Sequence, residues 1–415
     1  MAVLLLSVAV QGQTLNTLPT FEPNLLGYRP ISGVTIGPLG QLYCTTQRGG
    51  ASDLGIAFEL TPPASPSGAW TEIVLHSFSS LTGDGNPNSA LVLGSSGALY
   101  GVTGYNGSAG AKGTVFELKP PEGSNTHWIE TVLHTFTPPS GDGLAPAGSL
   151  VLGPHNSLYG TTVTGADSGG IVFRLQPSAA GDWTTIILHS FHAYLRDAAV
   201  PAGNLALASD GTIYGAGSAG GSDGLGAVFE LDPPTIAGGN WTESLLHSFT
   251  SEASDPGLPN GVVLGPNGVL YGTSLGQQPP KDCDKGCGAV FQLTPPAALG
   301  GAWTETILHS FTGIATGDGS QPNSELVLAP AGILYGTTRT GGVHNYGTIF
   351  EMVPPSSPEG TWTEVVLYSF TNGADGSQPN AVTLGPDGAL YGTTAGNGTK
   401  DSGGAWGSVF QMVLP

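Results

Sequence analysis

The sequence predicts an all-β protein folded as a seven-bladed β-propeller with four-stranded antiparallel blades. Three observations lead there. A unit of about 57 residues recurs along the chain, and the apolar runs inside it are short and bounded by turn formers. The last unit lacks one strand, which the N-terminus can supply.

The tyrosines mark the recurrence. They fall at Tyr43, Tyr100, Tyr159, Tyr214, Tyr271, Tyr335 and Tyr391, in steps of 57, 59, 55, 57, 64 and 56 residues. A GTVFEL-like run follows each, with its Phe at 58, 116, 173, 229, 291, 350 and 410. A third run opens at Trp70, Trp128, Trp183, Trp241, Trp303 or Trp362 and closes on an LHSF-like step. A fourth, LVLG-like, precedes each Tyr; residues 317–370 hold the fullest copy. Runs of four to eight residues rich in Val, Leu, Tyr, Phe and Thr read as strands. GPNG at 265–268 and GPDG at 385–388 supply tight turns. Paired prolines at 62–63, 120–121, 233–234, 295–296 and 354–355 end the Phe strand, because Pro has no N–H for a ladder. Nothing shows a sustained helical period.

A solenoid and a closed propeller both use such units. Seven copies carry the Tyr and Phe runs, but only six carry the Trp run. The last copy stops after its Phe strand, and Thr17-Leu18-Pro19-Thr20-Phe21 matches Leu75-His76-Ser77-Phe78. The N-terminus therefore completes the last blade and closes a ring. The LVLG strand is innermost (a), followed by the Tyr (b), Phe (c) and Trp (d) strands. The d–a and b–c loops then share one face of the disc. Residues 13–415 form this single domain.

Composition narrows the function. With 67 Gly and 33 Pro the chain is rich in turns, while 39 % hydrophobic residues in regular runs argue for order. Ten Lys and Arg stand against 30 Asp and Glu, a net charge of −20. That excludes the basic patches that nucleic acid and anionic membranes require. No segment approaches the roughly 20 apolar residues of a membrane helix, so no membrane insertion is expected, and a monomer is. Residues 2–10 are apolar and run into small residues near Gly12 without a basic flank. Residues 1–12 read as a truncated signal peptide or the product of a misassigned start, with a buried first strand as the competing reading; the signal-peptide reading puts the protein outside the cell. Cys283 and Cys287 share one loop and suit a local disulfide in an oxidising compartment. Cys44 stands where most other copies have Gly, as a half-buried free thiol.

The unit LYGTT…GTVFELTPP…WTETILHSFT…GDGSQPNSELVLAP resembles the GloVer tandem repeat of Gloeobacter and Verrucomicrobia, the repeat of choice-of-anchor proteins. The resemblance covers residues 14–413. It implies an exported bacterial protein at or beyond the cell surface, and it transfers no catalytic residue. Such proteins often end in a sorting anchor; residues 411–415 show none, so free secretion is the expectation.

Residues with chemistry divide into repeated and unrepeated ones. His76, His134, His189, His247 and His309 recur at one position, with Tyr368 in the sixth copy, and so read as packing groups that bond a neighbouring loop. Asp84, Asp142, Asp318 and Asp375 precede Gly in d–a loops, where the pair favours turns. They leave Ca²⁺ as an option, although the D-x-[DN]-x-[DN]-G spacing is absent. No other cofactor or metal is assigned. Asn88, Asn260, Asn323 and Asn380 follow Pro at the start of strand a, where they can form a polar ring at the channel mouth.

The unrepeated residues lie in the b–c loops of the last three blades. Tyr271 to Phe291 spans 20 residues and Tyr391 to Phe410 spans 19, against 14 to 16 elsewhere. These loops carry Lys281, Asp282, Asp284, Arg339, His344, Tyr346, Lys400, Asp401 and Trp406, and ligand sites favour such variable loops. Serine-hydrolase, zinc-protease and phosphate-loop motifs are absent. The expectation is an exported, non-catalytic module that binds a glycan or a protein through the b–c and d–a loop face. A secreted propeller enzyme acting on a polysaccharide or lactone, or a structural envelope component, are the alternatives.

Overall fold

The structure is a computed structural model. It describes residues 13–20, 27–65, 68–79, 85–104, 113–123, 127–137, 141–165, 168–192, 197–236, 238–252, 255–276, 286–298, 300–357, 360–396 and 406–414. Residues 1–12, read as a signal peptide, lie outside this set.

Seven antiparallel four-stranded sheets follow one another along the chain as the blades of a propeller. The a strands are Thr35–Ile36, Val92–Leu93, Leu144–Leu152, Ala206–Leu207, Pro259–Leu264, Val327–Leu328 and Pro379–Leu384. The b strands are Leu42–Thr46, Leu99–Thr103, Leu158–Thr164, Ile213–Gly217, Leu270–Ser274, Leu334–Thr338 and Leu390–Thr394. The c strands are Ile56–Thr61, Thr114–Lys119, Ser168–Pro177, Ala227–Asp232, Ala289–Thr294, Thr348–Val353 and Ser408–Val413. The first six d strands are Thr71–Ser77, Ile129–Thr135, Trp183–His192, Thr242–Ser248, Thr304–Ser310 and Thr363–Ser369. The seventh is Thr14–Thr20. It pairs with Ser408–Val413, with Thr14 opposite Val413 and Thr17 opposite Phe410. The chain ends thus meet in one blade, as the missing Trp run foretold.

Repetition in the sequence becomes packing between blades. The Phe of strand c lies over the Gly of the LYG step: a Cβ on Gly101, Gly160, Gly215, Gly272, Gly336 or Gly392 would sit 2.4–2.6 Å from that ring. The same Phe meets the Phe that ends strand d of the preceding blade, as in Phe78–Phe116 at 5.1 Å and Phe370–Phe410 at 5.4 Å. Edge-on or tilted ring contact at that distance adds to their burial. Tyr of strand b meets the Trp of the next blade, and Trp70–Tyr391 at 6.2 Å joins the first blade to the last. Cys44 opposes Phe58 in the Gly position and is a free thiol. It is fully buried rather than half-buried, because its neighbours close over strand b. Burial pushes its thiol well above the usual range, the opposite of what a nucleophile needs.

A second device repeats seven times and lies in the backbone. The residue before the Pro of each d–a loop is left-handed, with φ of 53° to 60° at Arg29, Asn86, Ala145, Val200, Leu258, Gln321 and Gln378. Side-chain-bearing residues seldom adopt that conformation. In blades 1, 2 and 5 to 7 it lets the amide reach back to the preceding b–c loop, as in Gln321 N to Cys287 O at 2.7 Å and Gln378 N to Tyr346 O at 2.9 Å. The adjoining Pro packs on the Gly before strand c of that preceding blade. A Cβ there would lie 2.4–2.8 Å from the Pro ring at Gly55, Gly113, Gly170, Gly226, Gly288, Gly347 and Gly407. At the ring's seam, Gly407 meets Pro30 and Arg29 N donates to Trp406 O at 2.8 Å.

Candidate binding site in the axial cavity

Residues of strand a, or of the segment leading into it, line a central cavity of about 560 Å³ in every blade. Glu325 is the one charged residue among the described residues that line it. At its place in the strand the other blades carry Gly33, Ala90, Ser149, Asn204, Gly261 and Ala381. Gly261 leaves room, and the Glu325 side chain crosses blade 5 to reach blade 4. There its two oxygens accept from Asn204 N and Asn204 Nδ2. Asn204 Oδ1 in turn accepts from Ser149 N, and Ser149 Oγ accepts from Ala90 N at 3.2 Å. A polar chain therefore runs from blade 2 to blade 6 along one wall. Burial raises the Glu325 carboxyl to about 7, more than its two hydrogen bonds from Asn204 lower it.

All four asparagines expected at the channel mouth border this cavity. Three of them also join blades. Asn88 Nδ2 donates to Pro146 O at 3.4 Å, Asn260 Nδ2 to Pro322 O at 2.6 Å, and Asn380 Nδ2 to Pro30 O at 3.0 Å. Asn323 differs, because its side chain is exposed. The cavity therefore offers one exposed amide, several hydroxyls and backbone groups, and one carboxyl.

The structure divides the expected rim site. Lys281, Asp282, Asp284, Lys400, Asp401 and Cys283 lie outside the described residues. Cys287 is buried and disulfide-bonded. Arg339 is exposed and donates to Gln378 Oε1 at 3.3 Å, and His344 is exposed. Tyr346 and Trp406 instead pack into the joints between blades: Tyr346 lies against the core, and Trp406 stacks edge-on to Tyr28 at 5.3 Å. Asp84 lies outside the described residues, and the three described d–a aspartates do not gather around one ion. Asp142 pairs with His134 at 2.6 Å, Asp318 with His309 at 3.1 Å, and Asp375 accepts from Tyr368 Oη at 3.2 Å.

These pairs belong to a joint that recurs between outer strands. The Leu before each His is a bulge, with Phe58 opposite Val74 and Ala57 opposite His76. A bulge re-aims the residue beside it. The imidazole then reaches its own d–a loop and strand d of the next blade, as in His76–Glu130 at 3.5 Å. Burial is the largest single influence on His309 and works against its charged form, but the Asp318 hydrogen bond together with the charges of Asp318 and Glu364 outweighs it and raises its pKa.

The profile described as the Gloeobacter/Verrucomicrobia repeat matches residues 4–229 and 280–414. The chain belongs to that family. The stretch between, 230–279, follows the same four-strand plan in this repeat protein. Among curated proteins none matches this chain at a significant level. Solved structures similar to it include a putative oxidoreductase (glucose dehydrogenase) from Thermus thermophilus, at 15 % identity and TM-score 0.43, covering 97 % of this chain and all of that one. A luciferin-regenerating enzyme is similar at 13 % identity and TM-score 0.43, over 97 % and 96 % of the two chains. A glucose dehydrogenase follows at 14 % identity and TM-score 0.45, over 97 % and 100 %. No activity carries over from likeness at that level. Among the described residues no helix is long and apolar enough to cross a membrane.

Proposed function

We propose that this repeat protein is an exported, non-catalytic module that binds a neutral glycan at its loop face, seated in the axial cavity. One observation carries the reading: a cavity of about 560 Å³ lined by amides, hydroxyls and backbone groups, with a single carboxyl. That size lies within the few hundred to about 1,000 Å³ of small-molecule sites. Amide and hydroxyl groups that donate and accept suit sugar hydroxyls. The net charge of −20 and Glu325 disfavour uronic acids and other anionic ligands. Export is supported by the apolar run at residues 2–10 and by the family's implied location.

A glycan array followed by calorimetry tests this. Asn323 is exposed, so Asn323→Ala leaves the fold intact and removes one or two hydrogen bonds. The expected loss is about tenfold in affinity, at about 1 kcal/mol per bond. Binding that ignores Asn323→Ala but disappears with Arg339→Ala or His344→Ala moves the site to the rim. Turnover of a polysaccharide or lactone replaces the non-catalytic reading with the enzymatic one.

A further inference from the structure

Two of the joints between outer strands hold one imidazole about equally far from two carboxylates. His189 Nε2 lies 3.6 Å from Asp197 Oδ2 and 3.5 Å from Glu243 Oε2 of the next blade. His247 Nε2 lies 3.6 Å from both Asp255 Oδ2 and Glu305 Oε2. In each set the three ligand atoms lie within 4.8 Å of one another. At two other described joints the imidazole closes an ordinary hydrogen bond, at 2.6 Å for His134–Asp142 and 3.1 Å for His309–Asp318, although His309, Asp318 and Glu364 also lie within 4.8 Å of one another; His76 lies 3.5 Å from Glu130, and its d–a residue Asp84 is outside the described residues. At the first wide joint His189 Nε2, Asp197 Oδ1 and Glu243 Oε1 are buried atoms without a hydrogen-bond partner, and the Asp197 side chain is 9 % exposed. At the second, the same holds for His247 Nε2 and Glu305 Oε1. Buried polar atoms are otherwise almost always bonded.

We infer that these two joints, on either side of blade 4, are divalent transition-metal sites of the Zn²⁺ class. Bonds of about 2.0–2.2 Å at tetrahedral to trigonal angles place ligand atoms about 3.3–3.7 Å apart, the spacing seen from each imidazole to its two carboxylates and too wide for a good hydrogen bond. One imidazole and two carboxylates are a borderline donor set that suits Zn²⁺ and its neighbours. Side-chain exposures of 19 % for His189 and 14 % for Glu243 leave water a path to a fourth position. The ion would tie blade 3 to blade 4 and blade 4 to blade 5.

Metal-stripped full-length protein titrated with Zn²⁺, followed by calorimetry and elemental analysis, tests the assignment. The expected result is two ions per chain and a higher melting temperature with zinc. Glu243→Gln lowers the count to one, and Glu243→Gln with Glu305→Gln lowers it to zero. Glutamine keeps the volume and the neutral hydrogen bonds of a protonated acid, so a joint that only shares protons keeps its melting temperature and never loads zinc. That result would overturn the proposal. His189→Asn and His247→Asn repeat the reading if a glutamine variant melts early, and His309→Asn leaves the count at two. Absence of saturable binding, or a count that follows His309 rather than Glu243 and Glu305, also overturns it.

Discussion

At the scale of single residues, Glu325 decides the character of the axial cavity. Its carboxyl rises from an ordinary 4.5 to about 7 through burial. The fold therefore favours the protonated form. That contribution is fully present below about pH 4.5 and is lost as pH rises through about 7. The shift corresponds to about 2 kcal/mol once screening at a partly exposed site is allowed for. Glu325→Gln is neutral at every pH, so its stability relative to wild type rises by about that amount between pH 5 and pH 8. Urea melts at the two pH values check this; a constant difference would mean that Glu325 does not titrate in the cavity. The residue was visible in the sequence only as SEL where another copy reads SAL. Its reach to Asn204 was not visible, because it depends on the gap that Gly261 leaves in the blade between. Asn323 was read as one of four equivalent amides, and only the structure separates it from the three that join blades.

At the scale of elements, strand identity was legible and blade junctions were not. The Tyr, Phe and Trp positions follow from short apolar runs, and the Gly beneath each Phe repeats visibly. The left-handed residue before each d–a Pro was hidden, because Arg, Asn, Ala, Val, Leu and Gln all occupy it and none advertises a positive φ. Only its partners, the Pro and the Gly before strand c, showed in the sequence. Their close contact predicts a contrast between two glycines of similar φ. Gly347→Ala places a Cβ 2.4 Å from Thr338 O and 2.5 Å from the Pro379 ring, while Gly388→Ala meets nothing within 4 Å. The first should cost about 3 kcal/mol and the second about 1 kcal/mol, both from denaturant melts. Equal costs would mean that the latch yields without strain. Tyr346 and Trp406 were read as ligand-facing because they break the repeat. They sit where Leu54 and Leu225 sit in other blades and take the same joint position with larger side chains.

At the scale of the whole molecule, the ring depends on three contacts across its seam. The N-terminal strand pairs with Ser408–Val413, Pro30 packs on Gly407, and Trp70 meets Tyr391. Deleting residues 1–20 removes the first and leaves strand c of blade 7 as an open edge, a site for unwanted pairing. The truncated protein should melt earlier, by about 3 kcal/mol or more, and the peptide TLNTLPT added in trans should restore part of the loss. An unchanged melt would show that the seam holds without the strand. Closure matters for function because every blade contributes residues at or just before strand a to one cavity, so the proposed site exists only in the complete ring. The most direct measurement of that site is a crystal structure with the tightest neutral glycan from the array. The expected result is sugar density in the axial cavity, with hydroxyls against Asn323 and Glu325. Density on the b–c rim beside Arg339 and His344, with the cavity holding only water, would contradict it.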